Sequence, residues 1–255
     1  MIIDTHTHLD DDRYIDDLDD VISRAKSSGI SAFIIPGASI DTLPRAVEIA
    51  KEYDDVYFAV GVHPYDIDSY DKSILESYIT HPKCIAVGEC GLDYFRLPDD
   101  EDEAKSIKEQ QAKVFIEQIE LANRYEKPLI VHIRDASSDS LDILMANPLK
   151  RGGVLHCYNA DETLLKLKDS FYYGIGGVIT FKNAKKLVNV YPKIPEDRLL
   201  IETDSPYLTP HPHRGERNEP SYTKLVAQKM ALLSGVDVDK IEEITTQNAK
   251  ELFGI

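Results

Sequence analysis

The segment MIIDTHTHLDDDRYIDDLDDVISRAKSSG, residues 1–29, contains one complete unit of the predicted fold: a short β-branched run, MIIDTH, followed by the helix-like DDLDDVISRAKSSG. Such units recur along the chain, and the helix-like segment after the fourth run has apolar residues at three- and four-residue spacing. The seven further strand-like runs are SAFIIPG, VYFAVGVHP, CIAVGEC, PLIVHI, GGVLHC, YYGIGGVIT and LLIETD. Eight alternating β and α elements predict a parallel sheet.

The length of the chain favours closing that sheet into a barrel. Its 255 residues allow about 32 residues per βα unit, close to the ~30 that such a unit needs. No G-x-G-x-x-G or P-loop pattern follows any strand, which weakens an open sheet that binds a nucleotide cofactor. We therefore predict an α/β fold, a single (β/α)8 TIM-type barrel over residues 1–255, although the length alone would also allow two equal domains.

Composition and charge restrict the class of protein. With 42% hydrophobic and 29% charged residues, the chain can bury a sizeable core and is not disordered. A formal net charge of −16 means that the overall field does not attract phosphate backbones, so a nucleic-acid substrate would have to be held locally. Three cysteines and no signal-peptide or membrane-spanning pattern predict a cytoplasmic protein without membrane association. Nothing in the sequence predicts an obligate protein partner.

Ionisable residues stand at the C-terminal ends of five predicted strands. The strands of a parallel barrel are covered on both faces and should be almost entirely apolar, so these residues require an explanation. That end of the barrel is where enzymes of this fold carry their chemistry. The six residues are His6, His8, Glu89, His132, His156 and Asp204.

Strand alternation predicts which side chains share a face with these residues. Cys90 and Cys157 directly follow Glu89 and His156, so we expect them to point away from the barrel mouth in structural roles. The residues expected to form an apolar floor beneath the mouth are Ile85, Val87 and Ile130.

Four imidazoles and two carboxylates at one mouth are ordinary ligands for divalent cations such as Zn²⁺, Mn²⁺ or Mg²⁺. A lone strand histidine is more often a core residue, but six such residues at successive strand ends favour metal binding. The set fits two metals better than one, with Glu89 as the carboxylate that bridges them. The remaining loop histidines, His81, His211 and His213, are expected to be solvated.

These residues lie in blocks that resemble the TatD family of metal-dependent deoxyribonucleases, a branch of the amidohydrolase-like barrels. The blocks are DTHTHLD, GVHPY, VGECGLDY, PLIVHIRDA, LHCY, LLIETDSPYLTP and RGERNEPSY, and they extend over essentially the whole chain. The resemblance implies a binuclear site and hydrolysis of phosphodiester bonds in DNA. It further implies two ligand sets: His6, His8, Glu89 and Asp204 for one metal, and Glu89, His132 and His156 for the other. Asn159 and Ala160 depart from the Phe-Ser-Gly run of many members, which affects the substrate contacts of that loop.

The hypothesis that follows is hydrolysis by a metal-bridged hydroxide, for which Glu89, His63 and Asp204 are the catalytic candidates. Asp204 would accept the proton of the water, or would serve as a ligand only. His63, above the small residues Ala59 and Gly61, is predicted to contact phosphate.

Other residues are candidates for supporting roles. Arg96 and Arg134 would bind phosphate oxygens or, alternatively, form structural ion pairs. Arg214 and Arg217 are weaker phosphate candidates, and Glu202 is expected to orient a metal ligand.

The negative net charge favours insertion of a DNA strand end into the mouth over binding of a duplex on the protein surface. Aromatic residues near the mouth could stack an unpaired base or belong to the core: Tyr94, Phe95, Tyr158 and Tyr207. We therefore favour an exonuclease that acts on single-stranded DNA or frayed ends. Two alternatives stay open: a binuclear hydrolase of an ester or amide such as aminoacyl-tRNA, and a metal-dependent nucleic-acid-binding protein without turnover.

Overall fold

The computed structural model describes residues 1–255, and eight strands form one parallel sheet in the order of the chain. All eight predicted strands are present, although several end earlier than the β-branched runs that predicted them. The strands are β1 (Ile2–Asp4), β2 (Ile30–Ile35), β3 (Val56–Val60), β4 (Cys84–Asp93), β5 (Leu129–Arg134), β6 (Gly153–Leu155), β7 (Phe171–Ile175) and β8 (Leu199–Ile201).

Backbone hydrogen bonds between the first and last strands close the sheet. The N–H of Thr5 donates to the carbonyl of Ile201 at 3.2 Å, and the N–H of Asp204 donates to the carbonyl of His6 at 2.9 Å. Thr7 and Ser205 then form a parallel bridge just beyond the strands. The prediction of a (β/α)8 barrel is confirmed.

Helices cover the outside of the barrel. They are α1 (Leu18–Ser27), α2 (Leu43–Glu52), α3 (Lys72–Tyr78), α4 (Glu101–Tyr125), α5 (Ser137–Ala146), α6 (Lys185–Val190), α7 (Thr223–Ser234) and α8 (Val238–Phe253). The segment after β6 is a 3-10 helix, Glu162–Leu167, where we expected an ordinary helix. It has only six residues, and short pieces are where 3-10 geometry is common. No helix is both long and apolar enough to cross a membrane.

The apolar core has two layers. A large cluster packs the helices against the sheet, and a smaller cluster of 13 buried residues fills the barrel interior. Ile85 and Ile130 belong to the inner cluster, as predicted. Val87 does not: it packs in the outer layer because the pairing of β3 with β4 shifts between Cys84 and Ala86, which interrupts the alternation on which the prediction rested.

Candidate metal centre

The six ionisable residues at the strand ends come together at the C-terminal mouth of the barrel. Short backbone contacts fix the segment after β1, which carries two of them. The N–H of Thr7 donates to the carbonyl of Ile34 at 3.0 Å, and the N–H of His8 donates to the carbonyl of Ser205 at 2.8 Å. The first pair of imidazoles is thereby held between β2 and the chain after β8.

Glu89 lies at the centre of the cluster, and its two carboxylate oxygens face different partners. Oε2 lies 3.3 Å from Nε2 of His6 and 3.9 Å from Nε2 of His8. Oε1 lies 2.8 Å from Nδ1 of His132 and 3.0 Å from Nε2 of His156. One buried carboxylate therefore connects two separate pairs of imidazoles.

Asp204 completes the first of these groups. Its Oδ1 lies 3.4 Å from Nε2 of His8 and 3.7 Å from Nε2 of His6. The side chain of Asp204 is 14% exposed, whereas that of Glu89 is 4% exposed. Asp204 therefore lies nearer the opening of the mouth than Glu89 does.

The separations between donor atoms test whether a cation fits. Two atoms that each lie about 2.0–2.2 Å from a tetrahedral cation are about 3.4 Å apart. In the group of His6, His8, Glu89 and Asp204 the separations run from 3.3 to 3.9 Å. Nε2 of His6 is buried without a hydrogen-bond partner, which is costly for a polar atom unless another ligand satisfies it. The donor set fits a divalent cation.

The electrostatics of the cluster also favour added positive charge. Burial opposes ionisation of Glu89, but the neighbouring imidazoles of His156 and His6 hold its pKa well below the usual range. Burial likewise lowers the pKa of His8, but the Asp204 carboxylate more than offsets this and raises the pKa to about 9. The carboxylates thus raise the pKa of His8, His132 and His156, whereas burial lowers the pKa of His6. A cation would supply the positive charge that the carboxylates favour.

Two further carboxylates contact the far sides of the inner imidazoles. Oδ2 of Asp93 lies 3.0 Å from Nε2 of His132, and Oε1 of Glu202 lies 3.4 Å from Nδ1 of His156. Each contact favours a proton on that nitrogen and leaves the other nitrogen, which faces Glu89, free to bind. The position of Glu202 is the one expected of an orienting residue.

Sequence reasoning missed Asp93. The signal was present, because Asp93 is four residues after Glu89 and so shares its face if the strand continues. We predicted that this strand ends at Cys90, whereas β4 extends to Asp93.

His63 lies beside the centre, with Nε2 3.7 Å from Oε1 of Glu89. Burial lowers its pKa to about 4, so the imidazole is neutral at physiological pH. We expected Ala59 and Gly61 to leave room for substrate beneath it, and this is wrong at Gly61. A Cβ on Gly61 would lie 2.5 Å from a backbone atom of Gly88, so the chain of β4 fills that space.

The arginine candidates separate into two classes. Arg96 and Arg134 are exposed, and neither has a carboxylate within 4.0 Å, so they are not structural ion pairs. Arg217, in contrast, binds Asp17 at 2.6 Å. Arg214 donates to the backbone carbonyl of Thr209 at 2.9 Å, a contact that fixes the last loop.

The aromatic candidates also fall into two classes, those that pack in the protein and those that are exposed. The hydroxyl of Tyr94 donates to Asp139 at 2.8 Å, and Tyr158 is only 4% exposed, so these two serve packing. Phe95 and Tyr207 are exposed.

A cavity of about 430 Å³ opens beside the centre. Its wall includes the candidate ligands His132, His156 and Asp204 together with Arg134 and Tyr207. It therefore connects the candidate metal ligands with exposed side chains at the rim of the mouth.

Cys157 also lines this cavity, contrary to the prediction that it points away. The strand β6 ends at Leu155, and the φ of Cys157 is +43°, which is not a strand conformation. Strand alternation therefore does not apply to Cys157. Cys90, in contrast, is buried in the outer core as predicted.

Comparison with known proteins bears out the resemblance of the sequence blocks. The family model described as TatD related DNase matches residues 3–254. The metal-dependent hydrolase YabD of Bacillus subtilis is 44% identical, with 100% of both chains covered. The 3'-5' ssDNA/RNA exonuclease TatD of Escherichia fergusonii is 32% identical, with 100% of this chain and 99% of the relative covered. The crystal structure of YjjV, a TatD homologue of Escherichia coli, has a TM-score of 0.90 at 30% identity and covers 100% of this chain and 98% of its own. The chain therefore belongs to the family of TatD-related DNases.

Proposed function

We propose that this protein hydrolyses phosphodiester bonds at the ends of single-stranded DNA, with two divalent cations at the barrel mouth. The observation that carries the proposal is the position of Glu89, whose two oxygens face different pairs of imidazoles. Family membership and the histidine–carboxylate groups support use of a divalent metal. The number of ions, and their identity as Zn²⁺, Mn²⁺ or Mg²⁺, belong to the proposal.

Two ligand groups would hold the cations. His6, His8 and Asp204 would hold one, His132 and His156 the other, and Glu89 would bind both. When bound, such cations lower the pKa of water and neutralise charge on a phosphoryl group. Asp93 and Glu202 keep the inner imidazoles in the orientation and protonation that this requires.

The protein's own residues then divide the remaining work. Asp204, at the opening of the mouth, would accept the proton of the attacking water. Neutral His63 would donate a hydrogen bond to a phosphate oxygen of the substrate. Arg134, which lines the same cavity as the candidate ligands, would bind a second phosphate.

A single strand fits the surroundings better than a duplex. With a net charge of −16, the overall field of the protein does not attract two phosphate backbones, and the unpaired Arg134 lies locally at the mouth. The Escherichia fergusonii relative, covered over 99% of its length, is named a 3'-5' ssDNA/RNA exonuclease.

The direct test is to incubate the purified protein with end-labelled single-stranded and duplex DNA in Mg²⁺, Mn²⁺ or Zn²⁺, with chelator as control. We expect stepwise shortening of the single strand from one end and slower loss of the duplex. No degradation in any metal, or preferential hydrolysis of an aminoacyl ester, would overturn the proposal.

Metal binding should be visible as thermal stabilisation. A ligand at 100 times its Kd stabilises the native state by about 2.7 kcal/mol, which corresponds to roughly 5–10 °C for a chain of this size. We expect the chelated protein to gain this much when Mn²⁺ or Zn²⁺ is restored, as measured by scanning calorimetry. His6→Ala should reduce the gain, and His211→Ala should keep it. An undiminished gain in His6→Ala would locate the cation elsewhere.

Replacement of Asp93 should weaken metal binding without removing a ligand. In Asp93→Asn the neutral amide favours a proton on Nε2 of His132 less strongly than the carboxylate does, and loss of such a partner typically lowers metal affinity by about 10–100-fold. Competition with a chelating dye measures this directly. Asp99→Asn, an exposed change six residues away, should bind metal as the unmodified protein does. Equal affinity in both variants would contradict the orienting role.

A further inference from the structure

Three exposed aromatic side chains surround the metal centre, and each carries an arginine on its ring. Tyr65, Phe95 and Tyr207 are 38%, 56% and 47% exposed, and every other Phe and Tyr of the chain is less exposed. We call these three pairs the aromatic–arginine rim: Tyr65 with Arg96, Phe95 with Arg134, and Tyr207 with Arg13. The guanidinium carbons lie 4.9, 3.5 and 4.3 Å from the respective ring centroids.

The rim includes residues that follow strands on opposite sides of the barrel, since Phe95 follows β4 and Tyr207 follows β8. The ring of Tyr65 meets that of His63 edge-on at 5.1 Å, on the β3 side of the mouth. The ring of Tyr207 meets that of His8 edge-on at 5.8 Å, on the side where β8 and β1 meet. Phe95 follows β4, and its partner Arg134 lines the cavity that leads to the ligands. A chain passing over the centre would therefore meet an aromatic ring before and after it.

The charges of the rim match a phosphate backbone. Arg96 and Arg134 have no carboxylate within 4.0 Å, and only Arg13 is paired, with Asp11 at 2.8 Å. Free guanidinium groups bind phosphate oxygens well, and exposed rings accept the faces of bases. A single strand presents both chemistries in alternation, whereas a duplex hides its base faces in the stack.

We propose that the aromatic–arginine rim binds unpaired nucleotides on both sides of the phosphate at the centre. Bases stack on Phe95 and Tyr207, and Arg96 and Arg134 bind the phosphates next to them. The proposal rests on the proposed function for the position of the cut bond. It names the feature that selects the substrate, since only unstacked bases can occupy the rim. A duplex end must fray before it is bound.

Binding, measured apart from cleavage, tests the rim. The probe is a fluorescent six-nucleotide thymidine strand with phosphorothioate linkages, compared by anisotropy with an abasic strand of the same length. Phe95→Leu and Tyr207→Leu remove the ring and keep apolar bulk, whereas Phe95→Tyr and Tyr207→Phe keep the ring. Leu232→Ala, an exposed change on α7, is the surface control.

Stacking predicts an interaction between ring and base. Each leucine variant should bind the thymidine strand about tenfold more weakly and the abasic strand as well as the unmodified protein does. The ring-keeping variants and the surface control should bind both strands normally. Equal weakening of both strands would show a structural role of the ring, and unchanged binding of thymidine would show no role; either result overturns the proposal.

The arginines have a separate readout in the dependence of binding on salt. For single strands the slope of log K against log salt changes by about 0.7 for each phosphate contact. Arg96→Gln and Arg134→Gln should each reduce the slope by about that amount on thymidine and abasic strands alike. An unchanged slope would remove the arginine from the rim.

The outcomes separate the two proposals. If the rim variants behave as expected and the unmodified protein does not cut DNA in any metal, the rim stands and the nuclease function fails. If the protein cuts single strands and the leucine variants bind and cut them normally, the nuclease function stands and the rim fails.

Discussion

Replacing Glu89 with glutamine is expected to reduce hydrolysis of single-stranded DNA by about 10³-fold and to lower the number of bound metal ions. Lewis-acid stabilisation by a metal is worth several kcal/mol, and each 1.4 kcal/mol is a factor of ten in rate. Glutamine keeps one acceptor oxygen but loses the charge and the second oxygen. It can serve one ligand group but not both.

The geometry explains why this residue should have the largest effect. Oε2 faces His6 and His8, and Oε1 faces His132 and His156. A change at any one histidine removes one ligand from one group. The change at Glu89 alters both groups at once and leaves the four facing imidazoles without their shared negative charge.

The measurement is metal content by elemental analysis after dialysis, together with turnover of an end-labelled strand. Glu109→Gln, an exposed glutamate on α4, is the matched control and should retain metal and activity. Full metal content in Glu89→Gln, with activity near that of the control, would contradict a bridging role.

The barrel and the composition of its mouth could be predicted because both depend on periodicity. β-branched runs at intervals near 32 residues indicate parallel pairing. An ionisable residue at the carboxyl end of such a run therefore lies at the mouth of the barrel. His6, Glu89 and His132 are 43 or more residues apart in the chain, yet the topology alone brings them together.

What could not be predicted depends on local departures from that periodicity. The shifts in the pairing of β4 with β3 and with β5 put Val87 outside and Glu89 inside, and Cys157, with its positive φ, lies in the wall of the cavity. The two-residue alternation of side chains in a regular strand does not reveal either feature. The missing side chain of Gly61 likewise suggested free space for substrate, although the backbone of Gly88 occupies that space.

The aromatic–arginine rim could not be predicted from the sequence for a different reason. Tyr65 stands in a loop, where no periodic pattern says which side chains are exposed or which arginine will cover a ring. Phe95 was identified with Tyr94 as a stacking candidate, and only the structure shows that Tyr94 is tied to Asp139 while Phe95 is exposed. Loop side chains depend on tertiary contacts that sequence spacing does not encode.

Asp204→Asn is expected to lower kcat by about 10²–10⁴-fold, the usual contribution of a positioned general base. The expectation follows from its place at the opening of the mouth, where its side chain is 14% exposed beside the cavity. Asparagine keeps an oxygen donor toward His8 and His6 but cannot accept a proton. The two roles of Asp204, ligand and base, should therefore separate.

The separation is measured by comparing metal content and turnover in the same preparation. If Asp204 is the base, Asp204→Asn retains most of its metal while kcat falls, and the rise of the rate on the acidic side of the pH profile disappears. If Asp204 is a ligand only, metal and activity fall in proportion, and excess Mn²⁺ restores both. Because Glu89→Gln should lose metal and Asp204→Asn should keep it, the pair distinguishes a carboxylate that holds the cations from one that moves a proton.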